Sequence, residues 1–200
     1  MRALGRSGLA LLALVALPGV AALAGRPAGA TAPTEWTVYH NQPAGTGLDT
    51  SGADFTGAHA AWTSPTLDGQ LFGEPVVAAG LVVVATENDT VYALSSAGGN
   101  ILWSRHLGPP VPSTDLPCGN ISPSVGITGT PVVDPGRGEV FVVADELVSG
   151  APEHELVGLN LSSGAVELTV KVDPAGSTPA ALLQRTGLAL DGDRVVFGFG

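Results

Sequence analysis

The five residues Gly73-Glu74-Pro75-Val76-Val77 return as Gly129-Thr130-Pro131-Val132-Val133, and each copy opens a similar succession of short apolar runs. A repeat of this length cannot bury its apolar faces alone. It builds its core by stacking on neighbouring copies, as propellers and other closed repeat folds do. A third copy begins near Leu188 and ends at Gly200 on Val195-Val196-Phe197-Gly198-Phe199. The expected fold is all-β: a partial β-propeller of four-stranded antiparallel blades, with two blades and the start of a third, truncated at Gly200.

Within the first copy, residues 75–79 form a short apolar run and Gly80 turns the chain into Leu81-Val82-Val83-Val84-Ala85-Thr86. Such a β-branched run predicts a buried central strand. Glu87-Asn88-Asp89 makes the next turn, residues 90–94 the third strand, and Gly98-Gly99-Asn100 leads to a fourth, Ile101-Leu102-Trp103-Ser104. Four short strands joined by tight turns make a meander, the unit of a blade. The second copy keeps this order through residues 132–133, 139–144, 156–159 and 166–172, with Leu168 in the place of Trp103. The valine pairs are 56 residues apart but Leu94 and Leu159 are 65 apart. An enlarged turn over residues 145–155 is expected to absorb the difference, as surface loops do. Helix has little support after the N-terminal segment, so an all-β reading is favoured over a βαβ arrangement.

Arg2 and Arg6 precede an apolar run over residues 9–23, and Ala22-Leu23-Ala24 carries small residues at the cleavage-determining positions. This is the layout of a secretory signal peptide over residues 1–24. A retained membrane anchor is the alternative, although the run contains Pro18 and is short of the roughly 20 residues of a span. Residues 25–70 read as a linker and an extended N-terminal segment, and residues 71–200 as the repeats. Trp36 is expected on a strand supplied by the N-terminus, of the kind that completes the last blade of a ring. Trp62 is expected to anchor the outer edge near the first blade. Without the first 24 residues the net charge falls from −10 to −12, and the remaining basic residues are scattered singly. Such a surface disfavours nucleic acid and anionic lipid.

The series Val91-Tyr92-Ala93-Leu94, then Gly98-Gly99, then Ile101-Leu102-Trp103 resembles the repeat of pyrroloquinoline-quinone-like β-propellers. The usual wording there is aromatic-Ala-Leu-Asp, a Thr-Gly turn, then an apolar pair and Trp. Here Ser95 stands where Asp is common and Gly98 where Thr is common, and the second copy departs further with Gly158-Leu159-Asn160 and Leu168. Cys118-Gly119-Asn120-Ile121 and the segment from Gly126 to Val132 are similar to an inter-blade loop of secreted bacterial members. The resemblance implies that Trp103 packs between blades. It covers quinone-dependent alcohol and sugar dehydrogenases and also outer-membrane assembly lipoproteins that bind no quinone. Catalytic members resemble one another in an adjacent-cysteine disulfide beneath the quinone, a calcium held by acidic and amide side chains, and an aspartate base. This chain has a single cysteine, Cys118, so it holds no adjacent pair.

Glu87, Asn88 and Asp89 form the tightest oxygen-rich cluster, with Asp145-Glu146 at the equivalent place of the second copy. Hard cations take oxygen ligands of this kind. Three contiguous residues cannot all point inward, however, and Asn-Asp is ordinary turn chemistry, so solvated turns on one side of the propeller are expected. His154, between Glu153 and Glu155, is expected to be exposed, and His40, His59 and His106 make no metal spacing. Cys118 is either an inert thiol or half of a disulfide whose partner lies outside this chain. The proline-rich connection over residues 108–128 reads as a cover or a partner surface on the same side. No dinucleotide, phosphate-loop, nucleophile-elbow or zinc-protease motif occurs. No residue is therefore assigned a catalytic, cofactor-binding or metal-binding role. The expected function is an exported non-catalytic propeller that binds or scaffolds in the cell envelope, its partner an envelope protein, peptide or polymer. Two alternatives stand beside it: part of a quinone-dependent dehydrogenase, with the quinone and calcium in the intact parent protein, and a purely structural repeat module.

Overall fold

The computed structural model describes residues 35–49, 57, 59–117 and 120–200. The expected signal segment and Cys118 lie outside the described residues. Two four-stranded antiparallel meanders dominate. The first blade runs β1 (Val76–Ala78), β2 (Leu81–Ala85), β3 (Thr90–Ser95) and β4 (Ile101–His106), hydrogen-bonded in that order. A link containing the two-residue strands β5 (Val111–Pro112) and β6 (Ser124–Val125), paired with each other, leads to the second blade. That blade comprises β7 (Val132–Asp134), β8 (Glu139–Val148), β9 (Ala151–Asn160) and β10 (Val166–Lys171). The hairpin β11 (Ala189–Asp191) and β12 (Arg194–Val196) begins a third blade, and the ring is not closed among the described residues.

The two-residue period of the strands explains the stacking. One face of the first blade offers Val76, Val83, Ala85, Val91 and Ala93. The facing side of the second offers Val133, Val140, Val142, Ala144, Val157 and Leu159, and together these form one buried cluster. The alternate residues of the second blade, Val132, Phe141 and Val143, turn the other way and pack with Leu188 and Val38 towards the third. The second blade is therefore covered on both faces, which is why its central strands are nearly continuous Val, Ala and Leu.

The repeat extends to irregularities. In the first blade the register slips between Ala93, opposite Trp103, and Leu94, opposite Ile101. In the second it slips between Gly158, opposite Leu168, and Leu159, opposite Val166. The same bulge twists the outermost strand in both blades, and Leu168 sits where the sequence places it. Trp103 then reaches the next blade: its Nε1 donates to Leu161 O at 2.9 Å, and its ring lies over Gly164. Trp62 repeats the contact one blade earlier, with Nε1 donating to Ser96 O at 2.9 Å and the ring over Gly99.

Two expectations change. Residues 145–155 are not an enlarged turn, because β8 and β9 pair from Glu139↔Asn160 to Val148↔Ala151. The extra length goes into extending both strands, since consecutive cross-strand bonds satisfy a backbone that an eleven-residue loop would leave to water. Trp36 belongs to no outer strand. It makes a single antiparallel bridge to Val77 on the inner strand β1, and its Nε1 donates to Glu74 Oε1 at 2.8 Å. The edge of β1 opposite β2 pairs with this N-terminal segment, through Trp36 N to Val77 O and Val77 N to Trp36 O, each at 2.7 Å.

Candidate functional site: a buried acidic seam between two blades

The β2–β3 turn, the two ends of the link (residues 107–110 and 124–127) and the β8–β9 hairpin meet at one end of the blades. The link is tied to the turn by backbone and side chain. Ser124 Oγ donates to Glu87 O at 3.0 Å, Gly126 N to Glu87 Oε2 at 2.7 Å, and Ile127 N to Thr86 O at 3.3 Å. It is tied to the hairpin as well, by the bridge between Pro110 and Glu146 and by Leu147 N donating to Pro109 O at 2.8 Å. The two ends of the connection thus cover the β2–β3 turn and the β8–β9 hairpin.

Beneath them lie the acids that the sequence reading placed in water. Glu87 and Asp89 are 3% and 0% exposed, and Asp145 and Glu146 are 3% and 7% exposed. The expectation of solvated turns is overturned for these residues, while Asn88 remains half-buried. The reason is tertiary. Asp89 lies against Gly126, whose hypothetical Cβ would stand 2.7 Å from Asp89 Oδ1, and the Glu146 carboxylate presses on Gly108. Glycines in the link let its backbone settle directly onto the carboxylates. Asp145 and Glu146 reach the same place from within β8 and not from a turn.

His154 is also corrected. It is fully buried, with Nδ1 2.8 Å from Asp173 Oδ1 and Nε2 3.7 Å from Asp145 Oδ2. An imidazole bonded to Asp173 through Nδ1 presents Nε2 to Asp145, so the row runs Asp173, His154, Asp145. Lys171 Nζ sits at the outer end, 3.6 Å from Asp173 Oδ2 and 2.9 Å from Glu153 Oε2. The flanking Glu153 and Glu155, only half-buried, stay nearer the surface.

Electrostatics follow from burial. Desolvation pushes Asp89 well above the usual carboxylate range, and the neighbouring Glu146, Asp145 and Glu87 push it further. Asp145 rises to about 8 through burial and then the charges of Asp173 and Glu87. Glu146 rises to about 7 through burial and the charge of Glu155. Glu87 is raised by burial against the opposing pull of the Gly126 N–H, the Thr128 hydroxyl and Arg185. Both oxygens of Asp89 and of Asp145, Glu87 Oε1 and His154 Nε2 find no hydrogen-bond partner. Among the described residues no three acidic or histidine side chains converge to hold a metal ion.

Asp68 shows the opposite behaviour on the outer side of the same turn. Its carboxylate accepts Thr86 Oγ1 at 2.9 Å, Asn88 Nδ2 at 2.9 Å and Thr90 Oγ1 at 2.6 Å. Burial opposes the charge, but the bonds from Thr90, Asn88 and Thr86 outweigh it and hold the carboxyl below its usual range. A depressed carboxyl contributes stability above its unfolded value and loses it as pH falls through the folded one. The Asp68→Ala variant is expected to lose about 1–2 kcal/mol in urea unfolding at pH 7, the scale of a charge-assisted hydrogen bond replaced in part by water. At a pH well below 4 the difference from wild type should vanish. An equal loss at both pH values would refute the assignment.

A cleft of about 480 Å³ lies between Ala78, Arg137, Asn160 and Leu161, and one of about 310 Å³ touches Glu87 from the Asp68 side. No described helix is long and apolar enough to cross a membrane, a statement that does not bear on β-barrels.

Comparison with known proteins fits the architecture. Among solved structures, the quinohemoprotein alcohol dehydrogenase from Comamonas testosteroni aligns with a TM-score of 0.62 at 17% identity. That alignment covers 86% of this chain and 24% of the enzyme, and shows the fold. BamB from Moraxella catarrhalis aligns with a TM-score of 0.41 at 16% identity, over 66% of this chain and 33% of that one. A europium-containing methanol dehydrogenase aligns with a TM-score of 0.37 at 18% identity, over 50% and 15%. The chain therefore spans a third or less of these structures. No curated protein matches the sequence. The family model described as outer membrane protein assembly factor BamB matches residues 53–197, and the chain belongs to this family of PQQ-like repeat propellers.

Proposed function

We propose that the chain is part of an exported, non-catalytic propeller that docks a protein of the cell envelope. The observation that carries this reading is the elongated β8–β9 hairpin. Its strands are ten residues each against five and six for β2 and β3, so it is longer than the matching hairpin of the first blade. Its tip, Leu147-Val148-Ser149-Gly150-Ala151-Pro152, carries no charge in a chain of net charge −10. Leu147 and Val148 are half-buried and Ser149 and Gly150 exposed. An uncharged apolar tip on a braced hairpin suits insertion into a complementary groove of a partner protein, where apolar anchors dominate affinity. Export rests on the signal layout of residues 1–24.

The dehydrogenase alternative draws on the fold alone. The two readings separate in one experiment on the intact parent protein. A photo-crosslinking residue at Ser149 is expected to give a discrete adduct with one envelope protein, weakened at least tenfold by Val148→Asp. Dye-linked oxidation of an alcohol or sugar after loading with pyrroloquinoline quinone and calcium, without an adduct at Ser149, would reverse the reading.

A further inference from the structure

The seam poses a charge problem. Four carboxyl groups from two elements, Glu87 and Asp89 on the β2–β3 turn and Asp145 and Glu146 on β8, are buried together. Burying carboxylates is tolerable only when each is paired with a cation or protonated. The cations within reach are few. Arg185 acts on Glu87 alone, and Lys171 contacts Asp173 and Glu153 at the outer end of the histidine row. The acids do not converge to hold a metal. The remaining groups around the seam, Asp173 and Glu155, are acidic, and His154 already gives Nδ1 to Asp173. On the outer side of the turn, His106 Nδ1 meets Thr90 Oγ1 at 3.2 Å and is turned to the Asp68 network. That leaves protons.

We propose that the seam between the first two blades is a proton-held latch, in which Asp89, Asp145 and Glu146 carry protons while the two ends of the link, residues 107–110 and 124–127, are seated on the β2–β3 turn and the β8–β9 hairpin. The geometry makes the latch sensitive. Gly126 and Gly108 bring the link backbone against Asp89 and Glu146 with no side chain between them. Five carboxyl oxygens of the seam, on Glu87, Asp89 and Asp145, have no hydrogen-bond donor to hold a negative charge. Ionisation therefore sets like charges against one another under a covering segment, and lifting that segment lets water in. Only the consequence, that docking at the hairpin tip varies with pH, rests on the function proposed above. The latch itself is tested without a partner.

The sign follows from raised carboxyl values. The folded seam binds protons that the open state releases, so closure is fullest below an ordinary carboxyl value of about 4. It weakens as pH rises, through about 7 for Glu146 and about 8 for Asp145. Each proton released contributes up to about a tenfold change in the opening equilibrium per pH unit inside that window. In the full chain, amide hydrogen exchange corrected for intrinsic rates should show protection of the link ends, residues 107–110 and 124–127, falling at least tenfold between pH 5.5 and 8.5. Protection of the β3–β4 pairing should change far less. Asp145→Asn and Glu146→Gln, neutral and nearly isosteric, should each flatten the pH profile of the link. The wild-type profile stands as a test even where one variant does not fold. Protection of the link that is independent of pH would overturn the latch. So would protection at pH 8.5 that calcium raises and a chelator removes, which would make the seam a cation site. Loss of the Ser149 adduct with an intact pH profile would sink only the docking reading.

Discussion

Trp103→Ala is expected to destabilise the chain by about 3 kcal/mol, the lower end of the range for a large aromatic truncated in a core, because the ring is only partly buried. Two contacts are lost together. The indole covers Gly164, where an added Cβ would lie 2.5 Å from Cε3, and Nε1 bonds Leu161 O of the next blade. Gly164 also has a positive φ of 67°, so the turn beneath the ring accepts no side chain without strain. Urea unfolding of Trp103→Phe beside Trp103→Ala separates the contributions. Phenylalanine keeps most of the packing and should cost about 1 kcal/mol, the net worth of one hydrogen bond. Because the Leu161 carbonyl belongs to the second blade, the alanine variant should also raise hydrogen exchange there. A loss confined to β4 would show that the tryptophan does not dock one blade onto the next.

The second large effect is expected at the repeated glycine. A Cβ on Gly73 would lie 2.9 Å from Gly129 O, and one on Gly129 would lie 2.7 Å from Thr186 O and collide with the Gln184 amide. The inner strands of successive blades start side by side, and the start of each is packed on the backbone of the next. Thr130 ties them, with Glu74 N donating to its Oγ1 at 2.9 Å and Leu188 N to its carbonyl at 3.0 Å. A carbonyl cannot move aside as a side-chain tip can. Gly129→Ala should therefore cost about 1–3 kcal/mol of overpacking, and Gly73→Ala a similar amount. Gly98→Ala is the control, since its Cβ would meet only the Asn100 side chain at 3.4 Å. Thermal unfolding of the three variants checks the order. Equal midpoints would mean that the repeated glycine is a turn residue and not a packing one.

These two predictions mark what could be read from residues alone. The meander order, Leu168 in the place of Trp103, and the Gly-X-Pro-Val-Val opening of each blade were legible because each is local and recurs. Strand period and turn chemistry are set by neighbours in sequence, and repetition doubles the signal. The seam was illegible for the converse reason. Glu87, Asp89, Asp145, Glu146 and His154 look like ordinary surface polarity within their own segments. Glu87, Asp89 and Glu146 are covered by a link up to 39 residues away, as in the bond from Gly126 N to Glu87, and His154 packs on Asp173 and Phe199. The extra residues of the second blade misled in the same way, because an inserted stretch of Asp, Glu and Gly reads as a loop until a partner strand supplies its hydrogen bonds.

By itself, then, the sequence determined the all-β repeat: alternating Val and Ala faces can be buried only by another blade of the same kind. The tertiary structure decided where the charge goes. Whether a carboxylate meets water or another carboxylate depends on which distant backbone covers it, and here glycines at positions 108 and 126 allow that cover to close.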